Sequence, residues 1–84
     1  MHDLHVADKV FKLAMKEAKE NKLKELKKIE LELGSVIEHG DEINDSNLVF
    51  NIGMLSEGTM ANGVKVTVKR VPGNSWKLIS ISGE

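Results

Sequence analysis

The chain has 84 residues, twelve basic against thirteen acidic for a formal net charge of −1, and no cysteine. That composition fits one small domain and excludes disulfide stapling, thiolate metal sites and the broad basic footprint of a nucleic-acid binder. A domain this short buries only about 60 to 70% of the surface its unfolded chain exposes, so homo-oligomerisation is the readiest source of extra stability.

Val6, Ala7, Val10, Phe11, Ala14 and Ala18 recur every three or four residues while Lys12, Lys16, Lys19 and Glu20 fill the complementary surface, which predicts an amphipathic helix over about 4–21. Asp3 suits its N-cap, where a carboxylate accepts orphan backbone N–H groups and meets the positive end of the helix dipole. Over 26–34 the period drops to two, with Ile29, Leu31 and Leu33 alternating with Lys28, Glu30 and Glu32, the pattern of a strand with one dry face. The stretch 35–46, with its glycine and the turn-forming Asp41 and Asn44, reads as a loop.

Leu48, Ile52 and Leu55 restore helical spacing, with Asn44 or Asp45 as cap and Gly58 as stop, giving a second helix of about three turns. Val64, Val66 and Val68 alternate with Lys65, Thr67 and Lys69 in a second strand, and Pro72, Gly73 and Asn74 then signal a hairpin. In its returning arm, 76–82, the adjacent Leu78 and Ile79 leave the buried face undetermined. The element order α-β-α-β-β predicts an α/β fold of two helices packed on a three-stranded mixed sheet, with a right-handed crossover through the second helix if the first two strands are parallel neighbours.

No apolar run approaches the roughly 20 residues that span a bilayer, and the N-terminus lacks the basic-then-apolar pattern of a signal peptide. The expectation is a cytoplasmic protein with neither membrane nor nucleic acid as partner. Chemistry concentrates at the opening Met1-His2-Asp3, where a free amine, an imidazole and backbone amides share one short segment. A tetragonal, nitrogen-rich donor set favours nickel(II) or copper(II) over zinc. The plain alternative is a solvated histidine near a chain end.

The N-terminal MHDLHVADKVFKLAMKEA, the strand KKIELELGSV, the segment NLVFNIGMLSEGTMANGVKVTV and the closing KLISIS together resemble the HypA family of accessory proteins for nickel insertion into hydrogenase and, in some organisms, urease. The specific parts are the Met-His-acid opening and LSEGT followed four residues later by a glycine-led strand. The resemblance implies a nonenzymatic metallochaperone in which Met1 supplies its amine, His2 its side chain and Asp3 its backbone to nickel(II). It also implies as partners a hydrogenase maturation GTPase and a hydrogenase large-subunit precursor.

One departure is large. The family carries a zinc domain on two Cys-x-x-Cys pairs after the second strand, where this chain runs from Val71 through a short turn near 72–75 into Trp76. With no cysteine and three scattered histidines, a tetrahedral structural zinc site is not expected. The domain reading is a single HypA-like nickel-binding domain over 1–84, either a natural short paralogue or a deletion closed by a hairpin.

Other features have plainer readings. His5 can assist a metal but more simply covers the first helical turn, and His39 with Glu38 and Asp41 reads as a solvated loop. Trp76 finishes the core or covers a sheet edge, Met15, Met54 and Met60 are packing residues, and the Lys/Glu-rich stretch 16–28 is a solvated surface. No nucleophile constellation or phosphate loop points to catalysis. Opposed to the nickel reading stands a structural or regulatory interaction protein that keeps the fold without transferring metal.

Overall fold

The computed structural model describes residues 4–38 and 40–84, without the side chains of Leu4, His5, Glu38 and Asp41. The elements are α1 (Leu4–Glu20), β1 (Leu26–Leu33), β2 (Ile37–Glu38), β3 (Asp41–Glu42), α2 (Asp45–Ser56), β4 (Lys65–Arg70) and β5 (Trp76–Gly83). Two helices lie on a three-stranded mixed sheet of order β4-β1-β5, β1 being parallel to β4 and antiparallel to β5. The expected fold class and element order are therefore found. The stretch 35–46 adds a small antiparallel pair, β2 with β3, where a loop was expected; two residues per strand are too few to show a period.

α1 buries Val6, Ala7, Val10, Ala14 and Ala18, the stripe its spacing predicts, and packs on β1, β5 and α2. No glycine ends it. Lys22 instead takes the left-handed conformation (φ 59°), with Leu23 N donating to the Ala18 carbonyl at 2.9 Å and Lys22 N to that of Lys19 at 3.0 Å. These are the two bonds of a Schellman cap, normally closed by glycine. α2 starts where predicted: Asn44 accepts from the Ser46 and Asn47 amides at 2.8 and 3.3 Å, and Leu48, Ile52 and Ser56 are buried. The Ser56 hydroxyl donates to the Gly53 carbonyl at 2.7 Å, so burial leaves it satisfied.

β1 holds the centre because it alone carries four fully buried side chains, Leu26, Ile29, Leu31 and Leu33. Its opposite face carries Lys28, Glu30 and Glu32, which lie in register with Lys65, Thr67 and Lys69 of β4 on the open side of the sheet. Lys28 meets Glu30 there at 3.5 Å. Met15, Met60 and Trp76 pack against the core as expected, whereas Met54 does not, being 45% exposed on the outer side of α2.

The hairpin between the last two strands is corrected. β4 and β5 flank β1 and do not pair with each other; a turn signal marks reversal of the chain, not which strand receives the returning arm. The connector 71–75 instead passes over the end of β1, where Val71 N donates to Leu33 O at 3.1 Å, Gly34 N to Ser75 O at 2.8 Å and Ser35 N to Gly73 O at 2.8 Å. Approach is so close that a Cβ on Gly34 would lie 2.6 Å from the Gly73 carbonyl oxygen. The ambiguous pair Leu78 and Ile79 resolves as a β-bulge. Glu30 faces Ser80 and Leu31 faces Leu78, so Ile79 is the extra residue and is 47% exposed, while Leu78 packs against the core.

Gly34→Ala is expected to lower stability by about 1–3 kcal/mol, since backbone must move to admit the methyl group, and urea unfolding measures it. The bulge predicts an asymmetry between neighbours. Leu78→Ser should cost about 1–3 kcal/mol and Ile79→Ser only about 0.5 kcal/mol, and equal costs in thermal unfolding would refute the register.

Candidate metal centre

The metal-ligand candidates Met1, His2 and Asp3, and also His39, lie outside the described residues, as do the side chains of His5, Glu38 and Asp41. Among the described residues no three histidine, cysteine, aspartate or glutamate side chains gather into a group able to hold a metal ion. What the fold determines is where the N-terminal segment is attached. α1 spans 17 residues and β1 eight, lengths of about 25 Å each at 1.5 and 3.3 Å per residue. The connector 21–25 spans at most about 17 Å, too short to carry the chain back along that length. α1 therefore runs opposite to β1, and its first turn lies at the sheet end where β1 and β4 finish and β5 begins.

Val6, Ala7 and Val10 are 4%, 0% and 0% exposed, so the helix is held by packing up to its first turn. The first three residues leave from a fixed point. The same end receives the β2–β3 pair, the capped start of α2 and the connector 71–75. Arg70 closes it laterally, with Nη2 lying 3.6 Å from a Glu42 carboxylate oxygen and Nη1 donating to the Ile43 carbonyl at 3.5 Å. Both helices thus direct their N-terminal, partly positive ends the same way. Asp45, in the first turn of α2, supplies a compensating carboxylate.

The opposite end has a different character. Lys27, on the exposed face where β1 begins, has its amine held above the ordinary lysine range by a hydrogen bond to Glu25, reinforced by the negative charges of Glu25 and Glu84. The ion pair with Glu25 measures 2.8 Å. The stretch 16–28 contributes solvated charge there, as its composition suggests, with Lys16, Lys19, Lys24 and Lys28 exposed.

One surface feature went unanticipated. Phe50 is 64% exposed and stands one helical turn from Met54, so α2 presents apolar groups outward as well as inward. Its sequence, with Asp45 as the one charge between Asp45 and Ser56, carries that signal, because apolar residues fall on more than one face of the helix and no charged face opposes them.

Comparison with known proteins accords with this fold. A solution structure of the Ni metallochaperone HypA from Helicobacter pylori superposes with a TM-score of 0.73 at 13% identity, covering 96% of both chains. A second solution structure of a HypA protein gives 0.68 at 13% identity, covering all of this chain, 100%, and 97% of that one. Identities so low speak for the fold alone. The hydrogenase maturation factors HypA of Legionella pneumophila strains Lens and Corby are each 25% identical over 75 residues, 89% of this chain. The chain spans 63% of the length of these curated relatives. The family model for HypA, described as hydrogenase/urease nickel incorporation, metallochaperone, matches residues 1–76, and the chain belongs to the HypA family.

Proposed function

We propose that the protein is a nonenzymatic nickel-binding accessory factor for the maturation of nickel enzymes, with hydrogenase as the recipient class, and that Met1, His2 and Asp3 hold the metal. The observation that carries this reading is a metal-chelating Met-His-acid terminus issuing from a helix whose first turn is locked by the buried Val6, Ala7 and Val10. The Met1 amine, the His2 imidazole and the intervening backbone amides supply nitrogen donors, and such a set in a plane suits nickel(II). Nickel is cargo here. A dication at this end meets the partly positive N-terminal poles of two helices, so its ligands must bring negative charge. Ionised backbone amides do so, and the Asp3 carboxylate adds a further negative charge to the segment.

The domain reading is a single nickel-binding unit over 1–84, in which the connector 71–75 stands where the resemblance places a zinc module. Zinc has no donors of that kind in a chain without cysteine. A maturation GTPase and a hydrogenase large-subunit precursor are the partners proposed, with the cytoplasm as compartment. No helix among the described residues is long and apolar enough to cross a membrane. The tight connector also favours a second reading, in which the chain is a structural or regulatory interaction protein that keeps the fold but does not transfer metal.

A titration distinguishes the two. The amine and imidazole have reference pKa values of about 7.7–8.0 and about 6.5, and both must lose protons to bind metal. Nickel affinity should therefore fall by about tenfold or more between about pH 8 and about pH 6. Calorimetry on the untagged chain, on a version with a residue added before Met1, and on His2→Ala measures the donors directly. Loss of binding in both altered chains supports the site. Undiminished binding in both places the site elsewhere, and absence of nickel binding in the unaltered chain favours the second reading.

A further inference from the structure

β4 is an edge strand: it pairs with β1 on one side, and among the described residues no backbone hydrogen bond leaves its other side. α2 lies over β4 in the opposite direction, and two hollows follow each other along their seam. One, of about 300 Å³, is lined by Asp45, Ser46 and Val49 of α2 and Val68 of β4. The other, of about 340 Å³, has Phe50, Gly53 and Met54 on the helix side and Val64, just before β4, on the strand side. An unpaired strand edge below a helix, with hollows between them that have apolar floors at Val49 and Val68 and at Phe50, Met54 and Val64 and polar rims at Asp45, Ser46, Glu57 and Asn62, is the geometry that accepts an added strand. Its main-chain bonds give affinity and alternate side chains enter the hollows.

Charge identifies the occupant. β4 has three cations, Lys65, Lys69 and Arg70, and no acidic residue. Arg70 is engaged by Glu42, whereas Lys65 and Lys69 are exposed on the open face of the sheet. Val64, Val66 and Val68 point the other way, toward the helices. Same-face residues in a strand stand roughly 7 Å apart, so a strand laid on this edge presents one set of side chains to the lysines and the alternate set to the hollows. A second copy fits poorly. β4 paired antiparallel to itself in the central register sets Lys65 against Lys69 twice, and like charges directly opposite are destabilising. β5 of a second copy offers Lys77 and no carboxylate within the strand.

We infer that the seam between β4 and α2 is a docking groove for an extended segment of another protein in which acidic and apolar residues alternate, added as a fourth strand beside β4. The acidic side chains face Lys65 and Lys69, and the apolar ones enter the hollows at Val49 and Val68 and at Gly53 and Val64. The groove needs no metal, so its failure leaves the nickel reading untouched.

The test uses the full chain and a blocked seven-residue peptide alternating glutamate and valine. Fluorescence anisotropy follows binding and amide hydrogen exchange locates it. The glutamate–valine peptide should bind and slow exchange across 65–70, and a lysine–valine peptide should not. Lys65→Glu with Lys69→Glu, both on the exposed face, should weaken glutamate–valine binding by about tenfold or more and invert the preference. N-methylation of the peptide amides facing β4 should abolish binding. Equal binding of both peptides, protection confined to β5, or undiminished binding of the methylated peptide would each overturn the proposal, as would a β4-paired dimer of the free chain.

Discussion

Strand β1 is hydrogen-bonded on both sides, to β4 in parallel and to β5 in antiparallel register, while its four large apolar side chains face the helices. A parallel neighbour requires a crossover, which α2 supplies, and the antiparallel neighbour must then reach the other flank of β1 from the end of β4. The connector 71–75 makes that passage. It crosses the end of β1 on three backbone hydrogen bonds, at a place where only a residue without Cβ fits beneath it.

Gathering both helix starts, the β2–β3 pair and this connector at one end of the sheet has an electrostatic consequence. The helix poles make that end partly positive, and Asn44, Asp45 and Glu42 meet it with accepting oxygens and negative charge. The start of α1, to which the residues before Leu4 are joined, lies at this end. Nickel binding there would depend on deprotonated nitrogen donors more than on a preformed cage, which is why protonation of the amine and imidazole is expected to govern it.

The two helices divide the remaining surface. α1 hides one stripe and covers the rest with lysine and glutamate, so water satisfies its outer face. α2 is nearly uncharged on both sides, and Phe50 and Met54 stay in solvent. That exposed apolar side borders the edge of β4, which carries Lys65, Lys69 and Arg70. The proposed docking groove is thus a feature of α2 and β4, and the nickel proposal does not draw on it.

Periodicity was enough for the helices and the first two long strands, because burial on one face imprints a period of 3.6 or two on the residues that line it, while the third strand and so the α-β-α-β-β order followed from the Pro-Gly-Asn turn before it. The cap of α2 was legible as Asn44 or Asp45, since a short side-chain oxygen before an apolar repeat suits that place, and the structure selects Asn44. The family resemblance also lies in the residues themselves. The left-handed cap at Lys22 did not, for lysine carries no left-handed preference, although the spacing ended α1 within one residue of Glu20. Nor did the bulge at Ile79, where two adjacent apolar residues satisfy either face until β1 is beside them. Strand order was decided only in three dimensions: a Pro-Gly-Asn turn states that the chain reverses, and the stronger demand of β1 for partners on both sides determined that β5 would not pair with β4. The exposed side of α2 and the open edge of β4 became one groove for the same reason, because sequence records what each element offers and only packing decides which offers are left unmet.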